Sequence, residues 1–439
     1  MKEGGYTLNR GGIKLVPPKN PLRNPPRRAP APTGRRPTVG QTAPMPGRLA
    51  GQTREEIARC GADVTRRGGP TGACRGGSGR GPVQRRRRAW RSVGPHAKAI
   101  PCLIRSDFLG SPIRRIAGVV MSFAFIFPGQ GSQAVGMGRE LADAFATARD
   151  VFEEVDSALG ERLSDLIWQG PSETLTLTAN AQPALMAVSL AAVRALEAEF
   201  GIRVSQAAYV AGHSLGEYSA LAAAGALTIS DAARLLRRRG QAMQAAVPVG
   251  HGAMAALIGK VDVDIAEVIA LEGSVDGAVA VANDNNIGNV VISGARAGVD
   301  RAISFAKTKG VKAIPLPVSA PFHSPLMAPA AVDMERALAK VDIRRPVIPV
   351  VANVTARPVQ EPADIRRLLV EQVTGRVRWR ESVEWMAEST ARGGGGVSTF
   401  VETGAGKQLS GMVRRNAPEA VVTALNVPAD LEAFAKSFS

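Results

Sequence analysis

Cysteine, histidine and long apolar runs are all scarce in this chain of 439 residues. Its three cysteines are Cys60, Cys74 and Cys102, and the sequence after Cys102 contains no cysteine. The remaining three quarters therefore hold no disulfide framework, no thiolate metal site and no cysteine nucleophile. No stretch reaches the ~18 consecutive apolar residues of a membrane-spanning helix. We expect a cytoplasmic protein that does not contact a membrane.

Acidic residues are rare in the first 120 positions. Residues 1–120 carry 25 Lys and Arg against 5 Asp and Glu, with 15 of the 30 prolines. This composition predicts a disordered basic extension. Three interpretations are open for this extension. It binds nucleic acid or anionic lipid, it is a transit peptide, or it lies upstream of the true start of translation. A well-patterned strand follows Met121 at once, so we favour translation from Met121 and expect residues 1–120 to be absent from the native protein.

From Met121 onwards, apolar strand patterns alternate with helical ones, which predicts an α/β fold. Residues 121–248 and 319–439 are expected to form a large α/β-hydrolase-like domain with a parallel-sheet core. Helices are predicted over 140–159 and 182–199. Between 249 and 318 the order changes to βαββαβ, with a hairpin turn at 284–288. We interpret 249–318 as an inserted small ferredoxin-like domain.

A Gly-His-Ser-Leu-Gly motif at 212–216 is the first candidate for chemistry. It follows an apolar strand at 207–211 and precedes an alanine-rich helix that starts at Glu217. Strand, Gly-flanked serine and helix is the context of a nucleophile elbow, in which helix N–H groups favour a developing oxyanion. The motif predicts Ser214 as nucleophile, and the alternative is a Gly-Ser turn that only links strand to helix.

A serine nucleophile needs a positioned base, and residues 121–439 offer three histidines. His213 is adjacent to Ser214 and points elsewhere on the turn. His251 lies in a flexible Gly-His-Gly loop. His323 lies in a rigid proline-containing turn after a predicted strand, where α/β sheets place working groups. Elimination therefore favours His323, although a helix-capping or buried structural histidine is the other interpretation.

Several arginines follow the elbow on the next predicted helix, which Ser230 and Asp231 are expected to cap. Arg234 and Arg238 share one face, and Arg239 is rotated about 100° from Arg238. A solvated basic face is the main interpretation for Arg237 and Arg238. One arginine could instead turn inward and hold a carboxylate bidentately, and the pattern alone does not select it.

Five motifs in this order resemble the malonyl-CoA:acyl carrier protein transacylases of bacterial type II fatty-acid synthesis. The resemblance spans about Ser122 to Phe438, and residues 1–120 have no part in it. The motifs are Phe-Pro-Gly-Gln-Gly-Ser-Gln at 127–133, Gly-His-Ser-Leu-Gly-Glu-Tyr at 212–218, Arg239-Gly240 with Met243-Gln244, Gly-Ala-Met at 252–254, and Ala-Pro-Phe-His-Ser at 320–324.

The resemblance implies a role for each matching position. Ser214 matches the nucleophile, His323 the base, and Arg239 the arginine that pairs with the malonyl carboxylate. The other matches are Gln130 and Leu215, whose backbone N–H groups form the oxyanion hole, Gln372, whose backbone carbonyl orients the histidine, and Phe322, which accompanies malonyl rather than methylmalonyl selectivity.

The implied reaction moves malonyl from malonyl-CoA to the phosphopantetheine thiol of acyl carrier protein through a malonyl-serine, for fatty-acid biosynthesis. We expect a monomer without bound cofactor or metal. Acyl carrier proteins are acidic, so exposed arginines could steer one in, namely Arg237, Arg238, Arg414 and Arg415. The alternatives are a serine esterase or thioesterase of the α/β-hydrolase type, a polyketide-pathway acyltransferase, and a basic nucleic-acid-binding protein. The last is least favoured, because the excess charge lies in residues 1–120.

Overall fold

A computed structural model describes residues 122–438 and two short strands just before them. These strands, Arg115–Ile116 and Val119–Val120, pair antiparallel with each other. The predictions for residues 1–120 otherwise lie outside the described residues. No helix in the described part of the chain is both long enough and apolar enough to cross a membrane.

The strands form a two-stranded, a six-stranded and a four-stranded sheet. In chain order the strands are β1 (Arg115–Ile116), β2 (Val119–Val120), β3 (Phe123–Phe127), β4 (Tyr209–Gly212), β5 (Gly252–Ile258), β6 (Val279–Asn286), β7 (Asn289–Ala295), β8 (Lys312–Pro315), β9 (Val350–Ala352), β10 (Arg357–Val359), β11 (Thr399–Thr403) and β12 (Val421–Leu425).

Fourteen α-helices occur in the described residues. They are α1 (Arg139–Ala144), α2 (Ala146–Leu159), α3 (Leu163–Gln169), α4 (Ser172–Thr176), α5 (Thr178–Phe200), α6 (Gly216–Ala223), α7 (Ile229–Ala245), α8 (Val263–Gly273), α9 (Arg296–Thr308), α10 (Ala328–Leu338), α11 (Pro362–Thr374), α12 (Trp379–Ala387), α13 (Gln408–Asn416) and α14 (Pro428–Phe438).

The six-stranded sheet has the order β10-β9-β4-β3-β11-β12 and is parallel except for β10. Alternate residues of β3 enter different cores because strand side chains alternate between faces. Phe123, Phe125 and Phe127 pack into the larger core. Ala124 and Ile126 pack into the core on the opposite face. Both faces are thus covered, which explains why β3 is a continuous apolar run.

The four-stranded sheet has the order β6-β7-β5-β8, with every neighbouring pair antiparallel. Its elements follow the predicted order βαββαβ, and it has its own core, which includes Leu257, Ile269 and Val299. The fold is therefore α/β with one mainly parallel and one antiparallel sheet, as the sequence predicts.

Several element bounds differ from the predictions. The helix predicted over 140–159 is two helices, since Phe145 takes an extended backbone (φ −127°, ψ 121°) between α1 and α2. Thr228, rather than Ser230 and Asp231, caps α7, because its hydroxyl accepts from the Asp231 N–H. Six short strands and α-helices were not predicted, namely β1, β2, α3, α4, β10 and α12.

The hairpin predicted to turn over 284–288 is tighter than expected. Strand β6 continues to Asn286, and Ile287 and Gly288 alone connect it to β7. The strand is prolonged because residues just before and at the start of α12 pair with it. The Asp284 N–H donates to the Val377 carbonyl at 2.9 Å, and the buried Asp284 carboxylate pairs with Arg380 at 2.8 Å. The hairpin tip thereby reaches the region of the nucleophile elbow.

Candidate active site

The 212–216 motif forms a sharp turn between β4 and α6. Ser214 has a φ of +54°, in the left-handed region that residues other than glycine rarely adopt. A Cβ on Gly212 would lie 2.0 Å from the Gly216 carbonyl, and one on Gly216 would lie 2.3 Å from the Phe127 oxygen. The glycines therefore permit close packing, while the strained backbone belongs to the serine itself, as is common at functional sites.

His323 faces this serine from a separate loop after β8. Its Nε2 lies 2.7 Å from the Ser214 Oγ. Its Nδ1 lies 2.9 Å from the Gln372 carbonyl and 3.1 Å from the Gly375 carbonyl. Two carbonyl acceptors require a proton on Nδ1, so Nε2 is free to accept the serine proton. The arrangement suits general-base catalysis.

The surroundings of His323 favour its neutral form. Burial, with a smaller contribution from the Arg239 charge, lowers the pKa of His323 to about 3. The ring is 4% exposed. A neutral imidazole is the form that a general base needs, and burial maintains it well below neutral pH.

Arg239 turns inward from α7 and is 1% exposed. Its Nη2 donates to the Ser214 Oγ at 3.1 Å and to the Gln372 Oε1 at 2.8 Å. Its Nη1 donates to the Gln182 Oε1 at 2.8 Å. Its Nε has no hydrogen-bond partner in the described chain. A buried guanidinium beside a serine can bind a carboxylate there.

A polar group under the elbow was missed by the sequence analysis. Asn353 accepts the Ser214 N–H at 2.7 Å and donates to the Gly212 carbonyl at 2.7 Å. The buried Glu217 carboxylate accepts from the Asn353 N–H at 3.0 Å and from the Gln372 amide at 2.7 Å. Two signals were present in the sequence, namely a charge in an apolar helix and an asparagine just after a buried strand.

Gln130 lies on the exposed loop after β3, which packs against the elbow through the contact of Gly216 with Phe127. The loop is fixed by the Gln130 side chain, which donates to Thr178 at 3.1 Å, and by Gln408, which donates to the Gly131 carbonyl at 2.7 Å. The backbone N–H groups of Gln130 and Leu215 donate to no protein group in the described chain. Both are thus free for a developing oxyanion.

The other two histidines lie away from the serine hydroxyl. The His213 Nε2 lies 2.9 Å from the Asn285 Oδ1, at the hairpin tip of the four-stranded sheet. His251 is exposed in its loop, as expected. Phe322, directly before the base, is buried with 9% exposure. Within the described residues, no group of three or more His, Cys, Asp or Glu side chains is arranged to hold a metal ion.

The arginines expected on the surface differ from one another. Arg238, Arg414 and Arg415 are exposed, and Arg238 pairs with Asp333 at 2.6 Å. Arg237 was expected to be exposed, but its side chain is only 16% exposed because it bonds to Glu161 and Asn180. Arg237 is therefore unsuited to steering a partner.

Both the sequence and the fold are similar to those of known proteins. Residues 124–399 match the acyl transferase domain family. The chain is 46% identical over 297 residues to the malonyl CoA-acyl carrier protein transacylase of Bacillus subtilis (strain 168), covering 66% of this chain and 89% of that protein. It is 44% identical over 314 residues to the transacylase of the same name from Escherichia coli (strain K12), covering 71% and 98%.

Solved structures agree with the sequence relatives. An acyl-carrier-protein-S-malonyltransferase from Bartonella henselae superposes with a TM-score of 0.69 at 51% identity, covering 72% of this chain and 99% of that chain. A malonyl-transacylase in complex with its type II polyketide acyl carrier protein gives a TM-score of 0.68 at 39% identity, covering 72% and 99%. The chain thus belongs to the malonyl-CoA:acyl carrier protein transacylase family of acyl transferases.

Proposed function

We propose that this protein transfers the malonyl group of malonyl-CoA to the phosphopantetheine thiol of acyl carrier protein. The observation that carries the proposal is the 2.7 Å contact of the Ser214 Oγ with His323, next to the buried Arg239. A serine and its base serve any acyl transfer. The buried Arg239 cation favours an acyl group that carries a negative charge.

The first half-reaction forms an acyl-serine. The His323 Nε2 takes the Ser214 hydroxyl proton while the oxygen attacks the thioester carbonyl. The N–H groups of Gln130 and Leu215 stabilise the tetrahedral oxyanion, each such donor being worth about 10²–10³ in rate. The C–S bond then breaks, and the CoA sulfur leaves with the proton from His323.

The second half-reaction reverses these steps with a different thiol. His323 takes the proton of the phosphopantetheine thiol, whose sulfur attacks the malonyl-serine carbonyl. The C–O bond to Ser214 breaks, and the serine oxygen regains a proton from His323. Donor and acceptor thus use one site in turn, which predicts ping-pong kinetics.

Hydrolysis is the competing outcome for an acyl-serine, and two features favour transfer. The His323 Nδ1 bonds to two backbone carbonyls and, in the described chain, to no carboxylate of the kind found in an esterase triad. The buried Arg239 has no role in cleaving a neutral ester. Release of CoA at equal rates with and without acyl carrier protein would instead identify a hydrolase.

Further features of the proposal rest on the sequence and on relatives. We interpret the six-stranded part (121–248 and 319–439) as an α/β-hydrolase-like domain and the four-stranded part (249–318) as a ferredoxin-like insert. Fatty-acid synthesis is the proposed use. The match to a polyketide malonyl-transacylase makes carrier-protein preference the discriminating assay. The monomeric state, the cytoplasmic location and the absence of a cofactor stay predictions.

The protonation of His323 gives a direct test of the base. Because burial lowers its pKa to about 3, the imidazole is expected to stay neutral from pH 8 down to pH 5. The unfolded chain takes up this proton near pH ~6.5, so burial of His323 costs stability as the pH falls below that value. Carbon-13 NMR of labelled histidine, assigned with His323→Gln, measures the titration. A midpoint of ~6.5 for His323 would contradict the buried base.

Phe322 is expected to limit the size of the acyl group. Phe322 is buried and directly precedes the base in the sequence. We infer that its ring fills the space that an α-methyl group would need. We expect malonyl-CoA to be preferred over methylmalonyl-CoA, and Phe322→Ser to shift kcat/KM towards methylmalonyl by about 10-fold or more. Competition between the two thioesters measures the ratio, with Phe305→Ser on α9 as control. Equal use of both thioesters by the unaltered enzyme would refute this role.

A further inference from the structure

Beneath the nucleophile lies a buried carboxylate that the proposed reaction does not use. Glu217, in the first turn of α6, is 3% exposed. Its Oε2 accepts two hydrogen bonds, from the Asn353 N–H and from the Gln372 Nε2. Its carboxylate bonds directly to none of Ser214, His323 and Arg239 in the described chain. Any effect of Glu217 on the reaction therefore passes through another residue.

That residue is Gln372, whose amide has one permitted orientation. Its Nε2 faces three oxygen acceptors, at 2.7 Å on Glu217, 3.0 Å on the Ser214 carbonyl and 3.4 Å on Asn353. Its Oε1 faces a donor, the Arg239 Nη2, at 2.8 Å. A flipped amide would place oxygen against oxygen and N–H against N–H. Among the three acceptors, Glu217 is the charged one and makes the shortest bond, so it fixes the orientation most strongly.

The fixed amide in turn holds Arg239. The Gln372 Oε1 and the Gln182 Oε1 accept from the two terminal nitrogens of the guanidinium, which leaves the buried Nε–H without a partner. The guanidinium plane is thus set before substrate arrives, with its Nη2 held 3.1 Å from the Ser214 Oγ. The opposite charges of Glu217 and Arg239 also stabilise each other across the intervening amide, at a site removed from water.

We propose that Glu217 is a positioning residue for malonyl selectivity, since it orients the Gln372 amide that holds Arg239 for the substrate carboxylate. This inference rests on the proposed function. It assigns the buried charge a task distinct from general stability. Acyl groups that carry a carboxylate need the ordered guanidinium, whereas an acetyl group does not.

The test compares kcat/KM for malonyl-CoA and acetyl-CoA in the full-length enzyme and its variants. Assays at pH 8 keep Glu217 charged, because burial raises its pKa to about 7. Glu217→Ala is expected to lower the malonyl-to-acetyl ratio of kcat/KM by about 10- to 100-fold, chiefly because kcat/KM for malonyl-CoA falls. Glu217→Gln should recover most of the ratio, since its amide oxygen can accept both hydrogen bonds. A general loss of folding would reduce the transfer of both acyl groups alike.

Two further variants keep the test decisive. Gln372→Met retains the backbone carbonyl for His323 but removes the side-chain amide. It should therefore lower the malonyl-to-acetyl ratio in the same way, even if Glu217→Ala fails to fold. Glu402→Ala is the matched control, because Glu402 is also a buried carboxylate at a helix start, bonded to Leu409 and Ser410 of α13. Its loss should lower stability and leave the ratio unchanged.

The possible outcomes distinguish a failure of the positioning role from a failure of the proposed function. An unaltered enzyme that transfers malonyl, with an unchanged ratio in Glu217→Ala or Gln372→Met, overturns the inference alone. An unaltered enzyme that transfers no malonyl overturns the proposed function and the inference together. A lowered ratio in both variants, with Glu402→Ala unaffected, establishes the positioning role.

Discussion

Replacing Ser214 with alanine is expected to lower malonyl transfer to acyl carrier protein by at least about 10⁴-fold. The hydroxyl oxygen forms the covalent bond to the acyl group, and nothing else at the site can replace it. Asn353 and the α6 N-terminus hold the turn through backbone groups, so the variant should fold. Initial rates with malonyl-CoA and phosphopantetheinylated carrier protein measure the loss.

Ser219 provides a matched control for that substitution. It is a buried serine on the same helix, and its hydroxyl has no hydrogen-bond partner in the described chain. Ser219→Ala should therefore retain transfer within about threefold, since a buried hydroxyl without a partner contributes little. Transfer by Ser214→Ala at more than a hundredth of the normal rate would show that the nucleophile lies elsewhere.

Arg239→Ala is expected to abolish the preference for malonyl. Loss of a buried partner for a carboxylate costs about 2–5 kcal/mol, so kcat/KM for malonyl-CoA should fall by about 30- to 5,000-fold. Neutral acyl groups should gain relative to malonyl, because they no longer leave a buried guanidinium unpaired. The measurement is the ratio of malonyl to acetyl transfer under matched conditions.

The neighbouring Arg238 separates this effect from a general loss of positive charge. It lies on the same helix but is exposed and paired with Asp333. Arg238→Ala should leave the malonyl-to-acetyl ratio unchanged. If Arg239→Ala kept the ratio as well, carboxylate recognition by Arg239 would be disproved.

The three central side chains could be found from the sequence because each lies in a local signal. Ser214 stands between glycines at a strand-helix junction, His323 remains after two other histidines are set aside, and the resemblance selects Arg239 from its neighbours. The structure places both His323 and Arg239 within hydrogen-bond distance of the Ser214 hydroxyl. Their roles stay predictions until the variants are measured.

The polar support of the site could not be predicted in the same way. Glu217 lies on α6, Asn353 follows β9, and Gln372 lies on α11, and these elements meet only once the parallel sheet has formed. The prediction for Gln372 concerned its backbone carbonyl, and its side chain also bonds to Arg239. Long-range hydrogen bonds of this kind leave no periodic pattern in the sequence.

Element bounds were missed for a related physical reason. The strand at 279–286 runs beyond its apolar part because backbone pairing with Val377 and the Arg380 ion pair stabilise Asp284 in an extended conformation. Strand patterning detects apolar alternation, so it ended the strand at Asn283. The polar tip then reaches His213, which places the four-stranded sheet in contact with the elbow.

The central claim is that Ser214 carries the malonyl group between donor and acceptor. Intact-mass spectrometry of the enzyme, taken shortly after mixing with malonyl-CoA, tests it most directly. The account predicts a gain of one malonyl group, its loss when phosphopantetheinylated carrier protein is added, and no gain for Ser214→Ala. Release of CoA without any gain in mass, or an equal gain in Ser214→Ala, would contradict it.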